Sequence, residues 1–144
     1  MNRPDKAIGY FRNKFNCSQS VFTVFGTEHG ISEDDCLRIS CPFGAGMGRT
    51  QQTCGAVTGA LMALGLKYGK AIGDPDEKKQ FTYEKTREFF SEFTARNGSL
   101  SCRELLKGLD INDPVDHQKI MELGLFDTSC EKYVTDAVTI VENI

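Results

Sequence analysis

The sequence predicts an all-α fold, a compact bundle of about six to eight helices in one domain that spans residues 1–144. Apolar residues recur at spacings of three and four along most of the chain, which is the period of a helix with one buried face. Cap-type residues and glycines interrupt this pattern where helices would begin and end. No stretch alternates apolar and polar residues over the length of a strand, so we expect no sheet.

The first part of the chain predicts three helices. Residues 5–14 and 17–29 each carry one apolar face, and Gly30 ends the second of these helices. Ser32, with a carboxylate three positions later, is typical of a capped helix start and predicts a short helix over residues 33–40. The apolar faces of the first two helices consist of Ile8, Phe11, Phe15, Val21, Phe22 and Phe25.

The middle of the chain is rich in glycine. Three glycines make residues 42–48 a turn or loop, because glycine adopts backbone conformations that other residues avoid. The helix that follows begins as early as Arg49 and runs to about Tyr68. Its small residues permit close approach of another helix; they are Gly55, Ala56, Gly59, Ala60 and Ala63. Tight packing within the monomer is the favoured explanation, and a homodimer seam is the alternative.

Four further helices are predicted in the second half. Asp74-Pro75 begins a long one, with a cap followed by proline, and Asn97-Gly98 ends it. Shorter helices are expected over residues 101–106, 113–123 and 129–141. Core side chains expected from the long helix and the last one are Phe81, Phe89, Phe90, Phe93, Tyr133, Val134, Ala137, Val138 and Val141.

Composition argues against several classes of protein. The formal net charge is −3 without clusters of Lys and Arg, which argues against binding to nucleic acid or to an anionic membrane surface. No apolar run approaches the roughly 18 residues that a membrane span requires, and the N-terminal residues lack the pattern of a signal peptide. We therefore expect a soluble cytoplasmic protein that binds neither nucleic acid nor membrane.

The chemistry of the chain centres on its six cysteines, a number that favours metal binding or catalysis over disulfides in a reducing compartment. Cys17, Cys54, Cys102 and Cys130 each follow a residue that commonly caps helices. A thiol in the first turn of a helix faces unpaired N–H groups and the positive end of the helix dipole, and both favour the thiolate. We expect this clearly for Cys102 and Cys130, less directly for Cys17, and least for Cys54, which would lie several residues inside its helix. An inert, packed thiol is the alternative for each.

The spacing of the cysteines gives no support to thioredoxin-type exchange, a zinc ribbon or a ferredoxin motif, because Cys-x-x-Cys is absent. If the four thiols act together, they converge from separate helices. Glycines near them would let backbone N–H groups approach a sulfur and tune its potential. Nucleotide binding is disfavoured, because the loop lacks the Lys-Ser/Thr of a P-loop and no strand precedes it. The candidate cofactor-binding residues are Gly44, Gly46, Gly48, Arg49 and Gly55, with a solvated side chain as the alternative for the arginine.

The order and spacing of the four cysteines resemble the redox-active family labelled C_GCAxxG_C_C. The likeness includes "NCSQSVF" at 16–22, "FGAGMGRTQQTCGAVTGALMALGLKYG" at 43–69, "CRELLKGLD" at 102–110 and "CEKYVTDAV" at 130–138, with Cys-Gly-Ala where the label has Gly-Cys-Ala. The resemblance implies that these four cysteines form the redox-active site. Because a related module resembles the part of split-Soret cytochromes that holds an iron–sulfur centre, it also implies that the thiols ligate iron and sulfide.

Three functions follow from these observations as hypotheses. The leading one is a small redox protein in which the four cysteines bind a metal centre, most plausibly iron–sulfur, and exchange electrons with a redox partner protein or sense redox state. The second is metal-free thiol–disulfide chemistry at the same cysteines. The third is a helical interaction module with inert thiols. Cys36 and Cys41 lie outside the pattern and are expected to be packing residues or spare thiols, with Cys41 as a fifth or substitute ligand in the alternative.

Overall fold

The computed structural model describes residues 1–144 and contains eight α-helices and no named strand. The helices are α1 (Arg3–Arg12), α2 (Cys17–Glu28), α3 (Glu33–Ser40), α4 (Gly55–Tyr68), α5 (Asp76–Asn97), α6 (Cys102–Leu105), α7 (Pro114–Glu122) and α8 (Ser129–Asn143). One 3-10 turn, Cys41–Phe43, follows α3. The prediction of an all-α fold with six to eight helices is confirmed.

Helix α2 lies at the centre of the bundle and packs against α1, α3, α4 and α8. Its contact with α4 is very close, because a Cβ atom added to Gly59 would lie 2.7 Å from the backbone oxygen of Ser18. The small residues of α4 are therefore packed inside the monomer. The main core also takes Phe89 and Phe93 from α5, both fully buried. A second, smaller apolar cluster contains Cys102 and Cys130 together with residues of the α6–α7 region.

Local capping explains where several helices begin and end. The Ser32 side chain accepts a hydrogen bond from the Asp35 backbone at 3.1 Å and starts α3. The Asp113 carboxylate does the same for α7, at 2.9 Å from the backbone nitrogen of Asp116. Gly98 ends α5 in the left-handed conformation, with φ of 86°. These caps lie where the sequence predicts them.

Three local predictions are wrong. Helix α4 begins at Gly55 rather than near Arg49, because the glycine loop and an extended segment occupy the residues before it. Helix α5 is not capped by Asp74: Pro75 holds the cap position, and the Asp74 carboxylate accepts a hydrogen bond from the Ala71 backbone at 2.9 Å instead. Phe81 is not a core residue, since 44% of it is exposed on the first turns of α5. No helix combines the length and the apolar composition that crossing a membrane would require.

Candidate redox centre

Four helix starts meet around one cavity of about 170 Å³, and each brings a cysteine to its wall. The lining is mostly apolar and contains no Lys, Arg, His, Asp or Glu. Its members are Phe11, Asn16, Cys17, Ala45, Gly46, Cys54, Gly55, Cys102, Leu105, Leu106, Ile111, Phe126, Cys130 and Tyr133. All six cysteines of the chain are free thiols. The structure therefore gathers the four predicted cysteines, far apart in sequence, at one site.

Each of the four cysteines occupies a helix N-terminus. Cys17 is the first residue of α2, Cys102 is the first of α6, and Cys130 is the second of α8. Cys54 is the cap residue of α4, so the prediction that it lies several residues inside its helix is wrong. Asn16 supports Cys17 through a capping box, in which its side chain and that of Gln19 bind each other's backbone N–H groups.

A short antiparallel contact holds Cys54 beside Cys102. Thr53 and Ser101 form an isolated β-bridge. The backbone N–H of Cys54 donates to the Leu100 carbonyl at 2.8 Å, and that of Cys102 donates to the Gln52 carbonyl at 2.6 Å. The starts of α4 and α6 are thereby fixed to one another by backbone hydrogen bonds. A single bridging pair has no alternating pattern, which is why the sequence does not reveal it.

The glycine loop reaches the cavity through an unusual backbone. The five consecutive residues Ala45–Arg49 have φ between 52° and 72°, and Gln51 has φ of 54°. The left-handed conformation costs about 1–2 kcal/mol for each residue that is not glycine. Compensating contacts include the hydrogen bond from the Gln52 backbone to the Gly46 carbonyl, at 2.9 Å. A Cβ atom on Gly46 would lie 2.6 Å from the Gln52 nitrogen, so only glycine fits there.

The predicted supporting residues divide into two groups. Gly46 and Gly55 line the cavity, whereas Gly44, Gly48 and Arg49 do not. Gly55 permits close packing, because an added Cβ would lie 3.2 Å from the Cys17 Cβ. The Arg49 guanidinium donates to the Ile111 carbonyl at 3.3 Å. Arg49 therefore binds the loop that contains Ile111 and makes no hydrogen bond to the sulfurs.

Two interactions on the opposite wall tie other elements to α8. The Tyr133 hydroxyl donates to the Leu105 carbonyl at 2.7 Å and connects α8 with α6. Arg12, at the end of α1, forms an ion pair with Glu131 at 2.6 Å next to Cys130. Sequence reasoning places Tyr133 in the core but assigns it no part in the site. Its position three residues after Cys130, on the same helical face, is the signal that could have shown it.

Burial reverses the predicted thiolate character of most of these cysteines. It raises the pKa of Cys54 to about 12, although the backbone amides of Ala56 and Val57 oppose the shift. It raises the pKa of Cys102 to about 11, and the charge of a Cys130 thiolate adds to this shift. The helix N-termini are present, but the loss of hydration outweighs them. The expectation of a stabilised thiolate is therefore wrong for Cys102, and the pKa of Cys54, where the sequence supports this expectation least, is raised as well.

Cys17 and Cys130 behave as a pair. A hydrogen bond from the Cys17 thiol to the Cys130 sulfur raises the pKa of Cys17 well above its ordinary value, and burial adds to the rise. The same hydrogen bond lowers the pKa of Cys130 in spite of burial. Cys130 is thus the thiol of the site that ionises most readily, with Cys17 as its proton-bearing neighbour.

The two remaining cysteines lie elsewhere. Cys36 is fully buried under α2, where its thiol donates to the Ile31 carbonyl at 3.8 Å. Cys41 is exposed at the start of the 3-10 turn. Neither lines the cavity, so the alternative in which Cys41 serves as a fifth or substitute ligand does not fit the geometry. No group of three or more Cys, His, Asp or Glu side chains is arranged to hold a metal ion as it stands.

Comparison with known proteins bears on this four-cysteine arrangement. Residues 15–144 match the family described as "Putative redox-active protein (C_GCAxxG_C_C)". A protein of Archaeoglobus fulgidus, described as an uncharacterized protein, is 29% identical over 125 residues, which cover 82% of this chain and 83% of the relative. No solved structure matches the chain. Because the match extends over most of the sequence and includes all four cavity cysteines, the protein belongs to the C_GCAxxG_C_C family.

Proposed function

We propose that the protein is a small redox protein of the cytoplasm that binds an iron–sulfur centre through Cys17, Cys54, Cys102 and Cys130, for electron transfer or redox sensing. The observation that carries the proposal is the convergence of these four thiols, from four helix N-termini, on one apolar cavity. All six thiols of the chain are unpaired, so the four at the cavity are free to act as ligands. A redox partner protein would supply or receive the electrons.

The donor set and the volume of the cavity favour a group larger than one ion. Four soft thiols with no carboxylate or imidazole among them are the ligands that iron–sulfur clusters use. A single tetrahedral ion would need all four sulfurs about 2.3 Å from it. A cavity of about 150 Å³ accommodates a molecule the size of benzene, so about 170 Å³ leaves room for a cluster between the sulfurs.

The chain's own residues would perform three tasks around such a centre. The centre itself supplies one-electron chemistry when bound. Apolar side chains such as Phe11, Leu106 and Phe126 exclude water from the sulfurs. The N-termini of α2, α4 and α8 place partial positive charge beside thiolates that no Lys or Arg neutralises, and at Cys54 the backbone N–H groups of Ala56 and Val57 bind the sulfur. Since burial raises the pKa of Cys54 and Cys102 to about 12 and about 11, metal binding would release their protons.

Anaerobic purification with iron and sulfide analysis tests this proposal. We expect iron and acid-labile sulfide in the wild-type protein, together with the visible absorption of a cluster, and loss of both in Cys54→Ser. Cys41→Ser is the matched control, because Cys41 is exposed and outside the cavity. Protein that comes metal-free from an iron-replete host and resists reconstitution would refute the proposal.

A second function is favoured by the hydrogen bond between Cys17 and Cys130. The Cys130 thiolate would attack a disulfide of a protein partner and form a mixed disulfide, with departure of the partner's first thiol. Cys17 would then lose its proton and attack Cys130, which releases the second thiol of the partner. The partner's disulfide is reduced to two thiols, and the two cysteines of this chain are oxidised to one disulfide.

Counting free thiols separates the two functions. The thiol–disulfide function predicts that mild oxidation of metal-free protein removes two thiols, that Cys17→Ser or Cys130→Ser blocks this loss, and that Cys54→Ser and Cys102→Ser do not. The cluster function instead requires all four cysteines for iron binding. An oxidised chain that retains all its thiols would eliminate the second function.

A further inference from the structure

The segment between α6 and α8 covers the cavity without joining the main core. We call residues 106–126, which include α7, the cover segment. Its members that line the cavity are Leu106, Ile111 and Phe126. Its buried apolar side chains pack in the smaller cluster with Cys102 and Cys130, and none of them belongs to the main core. Displacement of the cover segment would therefore expose these two thiols while the main core stays packed.

Two residues of the glycine-rich region hold the cover segment to the rest of the protein. The buried side chain of Gln51 accepts a hydrogen bond from the Ile111 backbone at 2.9 Å and donates one to the Leu109 carbonyl at 2.8 Å. Arg49 donates to the Ile111 carbonyl at 3.3 Å, and the Asn112 side chain donates to the Arg49 carbonyl at 2.8 Å. Apart from the bonds to these two residues, the hydrogen bonds of the cover segment stay within it or reach its neighbours along the chain.

The cover segment has a glycine near each end and little packing between them. Gly108 and Gly124 have φ of 77° and 65°, and an added Cβ atom at either would meet nothing within 4 Å. Such positions can absorb the change in backbone angles that a hinge requires. Of the nine residues of α7 only Ile120 is buried, and α7 makes no extensive contact with another helix. Segments with few buried apolar contacts are the ones that open locally.

We propose that the cover segment is a gate, which Gln51 latches in the closed position and which opens by local unfolding to admit iron and sulfide to the cavity thiols. What the gate admits rests on the proposed iron–sulfur function, whereas the opening rests on packing and hydrogen bonds alone. An opening is needed because Cys54, Cys102 and Cys130 are only 5% to 9% exposed. It breaks the Gln51 hydrogen bonds and the smaller apolar cluster, and it leaves the main core intact.

Alkylation of reduced, metal-free protein by iodoacetamide, resolved for each cysteine by peptide mass spectrometry, tests the opening without a cluster. In urea below the unfolding transition, the logarithm of the Cys102 rate should change with urea far less than the free energy of global unfolding does. The reason is that local opening exposes less surface than global unfolding. An equal dependence would show that Cys102 is reached only through global unfolding, and it would overturn the gate.

Two substitutions separate the latch from general stability. Gln51→Met keeps the length of the side chain but leaves its two backbone partners unpaired in the closed state, so Cys102 should be alkylated about tenfold faster. Gly59→Ala is the matched control, because it disturbs the α2–α4 contact that the closed and open states share. Its free energy of unfolding should fall while Cys102 keeps the wild-type rate. A wild-type rate in Gln51→Met overturns the latch, and an accelerated rate in Gly59→Ala overturns local opening.

A milder variant covers the case in which Gln51→Met does not fold. Asn112→Ala removes an exposed hydrogen bond of the same closure, the one to the Arg49 carbonyl. It should accelerate alkylation of Cys102 by a smaller factor, and an unchanged rate there would contradict the proposed closure. The urea dependence of the wild-type protein decides local opening without any substitution.

The rate of iron uptake tests what the gate admits. Anaerobic reconstitution with iron and sulfide should be faster in Gln51→Met than in the wild type, by a factor similar to that for alkylation of Cys102. Faster alkylation with an unchanged rate of reconstitution would overturn the admission of iron and would still confirm the opening. Wild-type protein that takes up no iron refutes the proposed function and with it the admitted group, and alkylation then still decides whether the cover segment opens.

Discussion

Burial of the Cys54 thiol makes the stability of the metal-free chain depend on pH. The pKa of Cys54 is about 12 in the folded protein, against an ordinary value of 9.0, and burial is the main cause. The unfolded chain therefore loses this proton at a pH where the folded chain retains it. Because the folded pKa is the higher one, the stabilising contribution is complete below about pH 9 and is lost progressively as the pH rises toward about 12.

The size of the loss follows from the two pKa values. A thiol that is ionised only in the unfolded state lowers the free energy of unfolding by about 1.4 kcal/mol for each pH unit. From about pH 9 to about pH 10 the unfolded thiol goes from half to mostly ionised, which gives a loss of about 1 kcal/mol for Cys54. Cys102, with a pKa of about 11, adds a smaller loss of the same sign. Cys17 and Cys130 shift in opposite directions, so their contributions have opposite signs.

Urea denaturation of reduced, chelator-treated protein at about pH 8, 9 and 10, followed by the helical circular dichroism signal, measures this dependence. The Cys54→Ser variant has no titrating thiol at this position, so its loss of stability from about pH 9 to about pH 10 should be about 1 kcal/mol smaller than that of the wild type. Cys41→Ser is the control variant, because Cys41 is exposed and lies outside the cavity. If Cys54→Ser and the wild type lose the same amount, the thiol is not protonated by burial and the reasoning fails.

Three further substitutions test the packing and capping around the site, each by urea denaturation at neutral pH. Tyr133→Phe removes the hydrogen bond between α8 and α6 and should lower the free energy of unfolding by about 1 kcal/mol; an unchanged value would mean that this hydrogen bond contributes nothing. Gly59→Ala places a Cβ 2.7 Å from the Ser18 backbone oxygen and should cost about 1–3 kcal/mol, whereas Gly65→Ala on the same helix meets nothing within 4 Å and should be neutral or stabilising. The comparison fails if the two glycine variants are equally stable. Asn16→Ala removes the capping box of α2 and should cost about 1 kcal/mol, and wild-type stability in this variant would contradict the assigned cap.

The helices are readable from the sequence because their signals are local. Ser32, Asp113 and Gly98 occupy the caps that their chemistry favours, and each of them acts on residues within one turn. The start of α4 is not readable in this way. Its position depends on a left-handed backbone at Ala45 and Met47, which are not typical residues for positive φ, and on the bridge between Thr53 and Ser101. The bridge joins segments far apart in the chain, and hydrogen bonds such as that from the Gln52 N–H to the Gly46 carbonyl hold a loop conformation that the residue types do not indicate.

The candidate site is predictable in its cysteines but not in its electrostatics. The four cysteines follow cap-type residues, and the structure places each of them at a helix N-terminus. Whether such a thiol ionises depends on how deeply it lies, and depth is a property of the assembled bundle. At Cys54 and Cys102 the loss of hydration raises the pKa more than the helix N-terminus lowers it. At Cys130 the hydrogen bond from Cys17 lowers the pKa in spite of burial. The burial of Gln51 also gives no signal in the sequence, because its side-chain amide binds the backbone of Leu109 and Ile111, which lie far from it along the chain.

Helix ends, rather than basic side chains, face the sulfurs, and this choice has a physical consequence for the proposed centre. A buried Lys or Arg would balance the charge of bound thiolates, but it would be a costly unpaired charge whenever the centre is absent. The N-termini of α2, α4 and α8 carry only partial charge, which remains with the helix in either state. With Cys54 and Cys102 held neutral by burial, these two thiols bring no charge into the metal-free cavity. Loss of the centre therefore leaves no cationic side chain unpaired in the cavity. Uptake of a cationic group releases protons from the thiols, and no bound Lys or Arg has to leave.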